Sequence, residues 1–371
     1  KMKMMFDTLT EKADILSTLV HDLVKLDKPI ELKGISMRFT TDIIGSCGFG
    51  IECNSLTDEN SEFYKHGQKL FGTTSKRPTI WTKIAKFLSL TSRQNHTFFF
   101  DLENFFRNVV TETLKYREDN KIVRKDFMHL MIQLKNKGKI TEINSTDDDV
   151  YNKTVAEDVI SFEELAGQVL LFFTAGFETS STTISFCLLE LTQHPDIQQK
   201  MREEARALWK KHGGKFTYEA VQEMTYIESV VKETLRMYPP LAILPRVCTK
   251  NYKVPNTEVI VEKGTTLKIS VWGLHLDPEY FPDPYKFDPD RFSAENKHKI
   301  NPHAYIPFGD GPRQCLGLRF ALLESKLGLA MLLKDFNFSL HETTPYPPKY
   351  VVNNFIPTVE GGVLLKITKA D

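Results

Sequence analysis

Apolar residues recur at helical spacing through the first two thirds of the chain. Leu9, Ala13, Leu16, Leu19, Val20 and Leu23 share one face of residues 7–24, which predicts an amphipathic helix. Residues 98–116 and 125–134 carry the same pattern. From Ser161 to His194 no proline interrupts the chain, and Ser161 followed by Glu164 is a capping box that starts a helix. At about 1.5 Å per residue that helix spans roughly 50 Å. It is apolar on most sides through Leu170, Leu171, Phe172, Phe173, Phe186, Leu188 and Leu189, so most of it should be buried. Helices are predicted over 195–212 and 218–238, the second stopped by Pro239-Pro240. The period then changes. Residues 258–261 and 265–272 alternate around Gly264 and predict a hairpin. Four prolines make 277–292 an irregular connection, a last helix is expected over 318–334, and short strands near Phe338 and over 363–367. The polar stretch 140–157, with aspartates at 147–149, reads as an exposed loop. The class is mainly α with minor β.

Composition narrows the functional classes. The 48 Lys+Arg balance 48 Asp+Glu, and a net charge of zero argues against a nucleic-acid binder. With 41% hydrophobic residues and 26 Phe, the chain can offset its conformational entropy and fold. No apolar run reaches the ~18 residues of a membrane helix; the longest candidate, 169–177, contains Thr174 and Gly176. No signal peptide precedes the helices, but the chain starts at Lys1 rather than Met, so its true amino terminus is expected to lie upstream. Cys47, Cys53, Cys187, Cys248 and Cys315 form no CxxC pair and no disulfide framework, which fits a reducing compartment. The sequons at Asn95, Asn144 and Asn152 read as chance triplets.

The densest chemistry lies in Phe308-Gly309-Asp310-Gly311-Pro312-Arg313-Gln314-Cys315-Leu316-Gly317. Gly311 allows a tight turn without a β-carbon, Arg313 offers a fork-shaped cation, and Gly317 precedes a helix whose amino end favours negative charge. Phe308, Gly311, Arg313, Cys315 and Gly317 match FxxGxRxCxG, so the chain resembles the cytochrome P-450 haem-thiolate enzymes. By average residue frequencies this match arises by chance on the order of once in ten thousand chains of this length. The resemblance implies haem b with the Cys315 thiolate as axial ligand, which in this family pushes electron density onto iron and favours O–O cleavage. It gives Arg313 to a haem propionate.

Two further motifs extend it. Ala175-Gly176-Phe177-Glu178-Thr179 resembles the family's AGxET segment over the oxygen-binding face. There Ala175 and Gly176 would leave room for dioxygen, Thr179 would bond a helical carbonyl, and Glu178 would relay protons as a general acid. Glu233-Thr234-Leu235-Arg236 resembles ExxR, and Arg291 fits the third place of a Glu233–Arg236–Arg291 structural triad. His194 is read as a helix-end residue, and His275 as a candidate propionate partner.

The implied fold is a triangular helical prism with small β-sheets, one domain over 1–371, lacking the membrane anchor and the first helices and strands. The implied reaction inserts one oxygen atom of O2 into a lipophilic substrate: xenobiotics, insecticides, plant toxins or hormones, as in the insect microsomal detoxification group. Electrons would come from NADPH through NADPH–cytochrome P-450 reductase, with cytochrome b5 as a further partner, on the cytosolic face of the endoplasmic reticulum membrane. Phe172, Phe173, Ala175, Thr179, Ala242, Ile243, Leu244, Phe355 and Ile356 would line the substrate pocket, and Lys299, Arg319 and Lys326 a basic docking face. Alternatives are a non-hydroxylating haem-thiolate isomerase or dehydratase, a non-enzymatic haem binder, or a truncated copy.

Overall fold

The computed structural model of the chain describes residues 2–71, 96–140, 159–352 and 354–371. The sequon asparagines Asn95, Asn144 and Asn152 and residues 141–157 of the polar stretch lie outside them. Helix α1 (Phe6–Val24) buries Leu9, Ala13, Leu16 and Val20 of the predicted stripe, with Leu19 and Leu23 half-buried at its margin and Phe6 added at its start. Helix α2 (Leu32–Ile43) begins where the Glu31 carboxylate accepts from the Lys33 and Gly34 backbone N–H groups, satisfying donors that a helix start leaves orphaned. It runs into one wide π-type turn, Ile44–Phe49, closed by Gly50 in the left-handed region. Helices α3 (Glu62–Phe71), α4 (His96–Asn120) and α5 (Phe127–Lys137) follow.

The long helix α6 is Phe162–Leu191, about 45 Å, with both halves of the expected capping box: Glu164 N–H donates to Ser161 Oγ, and Ser161 N–H to the Glu164 carboxylate. It ends three residues before His194. Gln198 from the next helix donates to the Leu191 carbonyl at 3.0 Å, and His194 becomes the residue that starts α7 (Pro195–Lys211). The expected helix over 218–238 is two helices, α8 (Tyr218–Glu223) and α9 (Thr225–Met237). The cause is Glu204 of α7, whose carboxylate accepts from the backbone N–H groups of Thr225, Tyr226 and Ile227 and so caps a new start.

The small sheets are all antiparallel: β1 (Ile30–Glu31) pairs with β7 (Leu364–Lys369), which pairs with β6 (Phe336–Leu340). The expected hairpin does not form. β4 (Ile260–Val261) pairs backward with β3 (Tyr252–Lys253), and β5 (Thr266–Ser270) pairs with β2 (Ile243–Val247). The turn at Gly264 folds that segment onto Cys248, where Gly264 N–H donates to the Cys248 carbonyl and Cys248 N–H to that of Thr265. Helix α10 (Val271–His275) follows β5, and α11 (Leu318–Leu333) follows the cysteine loop.

Helix α6 joins two apolar clusters. Leu165, Val169, Phe173 and Phe177 pack with Phe49, Phe106 and Met128. Ile184 to Leu191 pack with residues of α1, α9 and α11. Each fully buried Phe or Leu contributes roughly 1.5–3 kcal/mol. Between the clusters, residues 178–183 are polar. No helix among the described residues is long and apolar enough to cross a membrane.

Candidate active site

The cysteine loop is made mainly by backbone. Gly309 and Gly311 both sit at positive φ, 73° and 72°, where a side chain would strain the turn. Cys315 N–H donates to the Phe308 carbonyl at 2.8 Å and Gln314 N–H to that of Gly311 at 3.0 Å, closing the loop. Asp310 accepts from Gly311 N–H and from His303, which holds its carboxyl below the usual range. Cys315 is exposed, whereas Cys47, Cys53 and Cys187 are buried, and burial pushes the Cys47 and Cys187 thiols up to about 12. Arg313 is exposed two residues away, and a side chain at Gly317 would lie at ordinary contact, 3.9 Å, from Cys315 Sγ. Leu244 of β2 packs against Gly309. Phe308 packs on the larger apolar cluster and anchors the loop's first arm.

A buried ionic brace stands behind this loop. Arg236 donates from Nε to Glu233 Oε2 at 2.7 Å and from Nη2 to Oε1 at 2.8 Å. Asp288 N–H adds a bond to Oε1 at 2.8 Å, and Arg291 Nε lies 3.5 Å from it. The structure thus brings Glu233, Arg236 and Arg291 together as expected. The remaining Arg236 donors reach the carbonyls of His275 and Lys286. His275 is not a propionate partner. It is fully buried, its Nε2 accepts from Ile306 N–H at 2.9 Å, and its Nδ1 faces the Arg236 carbonyl at 3.0 Å. These partners assign a neutral ring protonated on Nδ1, and burial lowers its pKa to about 4. His275 therefore ties α9 to the strand of chain entering the cysteine loop.

The AGxET segment divides between two faces of α6. Ala175 is exposed and Thr179 half-buried, with Thr179 Oγ1 donating to the Ala175 carbonyl at 2.8 Å. Gly176 does not make room on that face: a β-carbon there would lie 2.8 Å from Ile44 Cδ1, so its smallness admits the turn after α2. Glu178 turns about 200° from Gly176, towards the start of α2. It is buried, and its Oε1 pairs with Lys33 Nζ at 3.0 Å. Burial raises the Glu178 carboxyl against the opposing pull of Lys33.

Several expected contacts are corrected. Phe173 is fully buried among Phe106 and Phe177, and Phe172 stacks on Phe127 at 3.7 Å. The open face of α6 instead carries Leu171, 57% exposed, and Ala175. Ile356 is buried, Phe355 and Ala242 are half-buried, and Ile243 and Leu244 lie on β2. Lys326 belongs to no docking face: it is buried and donates to Glu228 at 2.8 Å. Lys299 and Arg319 are exposed. His194 is structural, stacked on Phe287 with Nε2 3.6 Å from Glu190. Sequence reasoning missed Gly309, Lys33 and Leu171. Gly309 could have been found as the second glycine of the turn; nothing local marks Lys33.

These residues fit a haem. An exposed thiol is the soft donor such an iron takes. Leu316, 87% exposed beside Cys315, and the exposed Ile269 on β5, which pairs with Leu244 of β2, present apolar surface suited to a macrocycle. Arg313 is exposed and makes no ion pair among the described residues, a cation suited to its acidic edge.

Known proteins agree with that chemistry. The family model for cytochrome P450 matches residues 1–361. A probable cytochrome P450 6a13 of Drosophila melanogaster is 41% identical over 99% of this chain, and cytochrome P450 6k1 of Blattella germanica 43% identical over 92%. The matched residues span 71% and 66% of those two relatives. A cysteine loop, its ionic brace and a family match along nearly the whole chain lead to one conclusion: the chain belongs to the cytochrome P450 family of haem-thiolate monooxygenases.

Proposed function

We propose that the protein inserts one atom of O2 into lipophilic small molecules, xenobiotics or hormones, with NADPH supplying electrons through a reductase and cytochrome b5 as a second donor. The same reading places it on the cytosolic face of the endoplasmic reticulum membrane and treats residues 1–371 as one domain. The observation that carries it is the exposed Cys315 thiol on a two-glycine loop, braced by the fully buried Glu233–Arg236 pair. Haem bound there supplies the activation of dioxygen. The chain's own residues do the rest. Cys315 is the ligand, Arg313 orients the acidic edge, and Phe308, Gly311 and Gly317 shape the loop around the thiol. Ala175 leaves space on the exposed face of α6. Thr179 holds a hydroxyl at that face, and Glu178 supplies protons from the buried side. Leu171, Ile243 and Leu244 offer apolar surface for a lipophilic ligand.

Reconstitution of the full-length protein with reductase and NADPH tests this reading. Oxygenated product should form from a panel of lipophilic compounds, and Thr179→Ala should divert NADPH to peroxide. Turnover that needs no NADPH, or coupling unchanged in Thr179→Ala, would contradict it.

A further inference from the structure

Between the two apolar clusters α6 carries a polar belt, residues 178–183, in which every residue but Thr179 is buried. Lys33, in the first turn of α2, reaches into this belt. Its Nζ lies 3.0 Å from Glu178 Oε1, 3.0 Å from Ser181 Oγ and 3.2 Å from the Glu178 carbonyl, and it also donates to Thr182 Oγ1. Four oxygens thus face three ammonium N–H groups. Two of the four are hydroxyls that already donate to the Glu178 carbonyl, Ser181 at 2.9 Å and Thr182 at 2.8 Å. By rotating, either could donate to a neutral amine instead. The surroundings therefore accommodate Lys33 in both protonation states.

The carboxylate is equally adaptable. Glu178 Oε2 is buried and has no hydrogen-bond partner among the described residues, so the group is less saturated than a purely structural ion pair requires. Lys33 is also the outer member of the pair, its side chain 13% exposed against 5% for Glu178. Burial pulls the Lys33 amine down and pushes the Glu178 acid up, bringing the two proton affinities together. Nearby, Glu31 spends its carboxylate on the backbone N–H groups of Lys33, Gly34 and Val363.

We propose that Lys33 loads Glu178 with protons. The Nζ–H bond breaks as the proton moves to Glu178 Oε1, leaving a neutral amine and a neutral carboxylic acid. Glu178 then passes its proton towards the Thr179 face and becomes a carboxylate again, and the amine regains a proton from hydronium in solvent on the side where the Lys33 side chain is 13% exposed. One proton crosses per cycle, and the pair returns to ammonium and carboxylate with no net charge. The inference rests on the reading that Glu178 supplies protons to the Thr179 side of α6.

Arginine separates loading from simple pairing, because a guanidinium keeps the charge but does not release its proton. The test uses the full-length holoprotein with reductase and compares Lys33→Arg, Lys33→Met and Glu178→Gln by two readouts. The first is the infrared carbonyl stretch of a protonated carboxyl group. Measured as a difference from Glu178→Gln, so that the buried Glu324 carboxyl cancels, a Glu178 band should appear in Lys33→Met and stay absent in Lys33→Arg. The second is product formed per NADPH. It should fall by about tenfold or more in both Lys33→Arg and Glu178→Gln, as expected when a positioned acid is not recharged. Wild-type coupling in Lys33→Arg, with Glu178→Gln uncoupled, would overturn Lys33 loading alone. Wild-type coupling in Glu178→Gln would instead overturn the relay on which it rests. No carboxyl band in Lys33→Met would also overturn the loading step.

Discussion

Glu233 and Glu178 are both buried carboxylates paired with a cation inside a helical core, yet they are built differently. Glu233 is saturated: two bonds from Arg236, one from Asp288 N–H, and Arg291 alongside. Glu178 pairs through one oxygen, and the other has no partner among the described residues. A saturated buried pair fixes geometry, because removing any member strands a charge. An unsaturated one has capacity left for a proton. The brace behind Cys315 is therefore rigid by construction, while the belt on α6 is free to change its protonation.

The largest expected effect breaks the rigid member. Arg236→Ala removes both side-chain bonds to the buried Glu233 carboxylate, leaving it Asp288 N–H and Arg291 Nε at 3.5 Å, and should cost about 3–5 kcal/mol or prevent folding; urea unfolding of the purified protein measures it. Glu178→Gln should cost far less in the same assay, and an equal loss would erase the distinction.

Next in size is the pH dependence that His275 builds into the brace. Its folded pKa, about 4, lies below the 6.5 of a free imidazole, so between these values the unfolded chain binds the extra proton. Stability should therefore fall as pH drops from 6.5 to 4, by on the order of 3 kcal/mol. A His275→Gln variant should lack that part of the slope, and an unchanged slope would remove His275 as its source. Glu178 and Glu324 act in the opposite sense. Burial raises both, so their contribution is present at low pH and is lost as pH rises above the free carboxylate value.

Gly176→Ala sharpens the flexible side. Its β-carbon would press on Ile44, costing about 1–3 kcal/mol and pushing the turn after α2 from α6. Thermal unfolding should recover in part when Ile44→Val, which lacks the Cδ1 atom, is added. Smallest is Cys315→Ala: an exposed side chain should change unfolding free energy by less than about 0.5 kcal/mol, while haem ligation is lost.

Much of this was legible in the sequence. Periodicity placed α1, α6 and α11, and the family resemblance joined Arg291 to Glu233 and Arg236 across more than fifty residues. What remained hidden depends on partners remote in sequence. A helix apolar on nearly all sides gives no phase, so Phe172 and Phe173 were indistinguishable from Leu171; one residue turns a side chain by about 100°. Lys326 reads as surface until Glu228 is folded against it, and His275 as a ligand until Ile306 N–H occupies its Nε2. Strands β4 to β7 were visible but β1 to β3 were not, and the pairing of β4 and β5 with the unforeseen β3 and β2 follows the Gly264 turn onto Cys248, which alternation does not encode.

The central claim is that Cys315 holds haem as a thiolate. Its most direct test is the reduced carbon-monoxide difference spectrum of the full-length protein beside its Cys315→Ala variant. The account predicts a strongly red-shifted Soret band in the wild type that is absent from the variant. The same band in both proteins, or a wild-type band at the position of histidine-ligated haem, would contradict it.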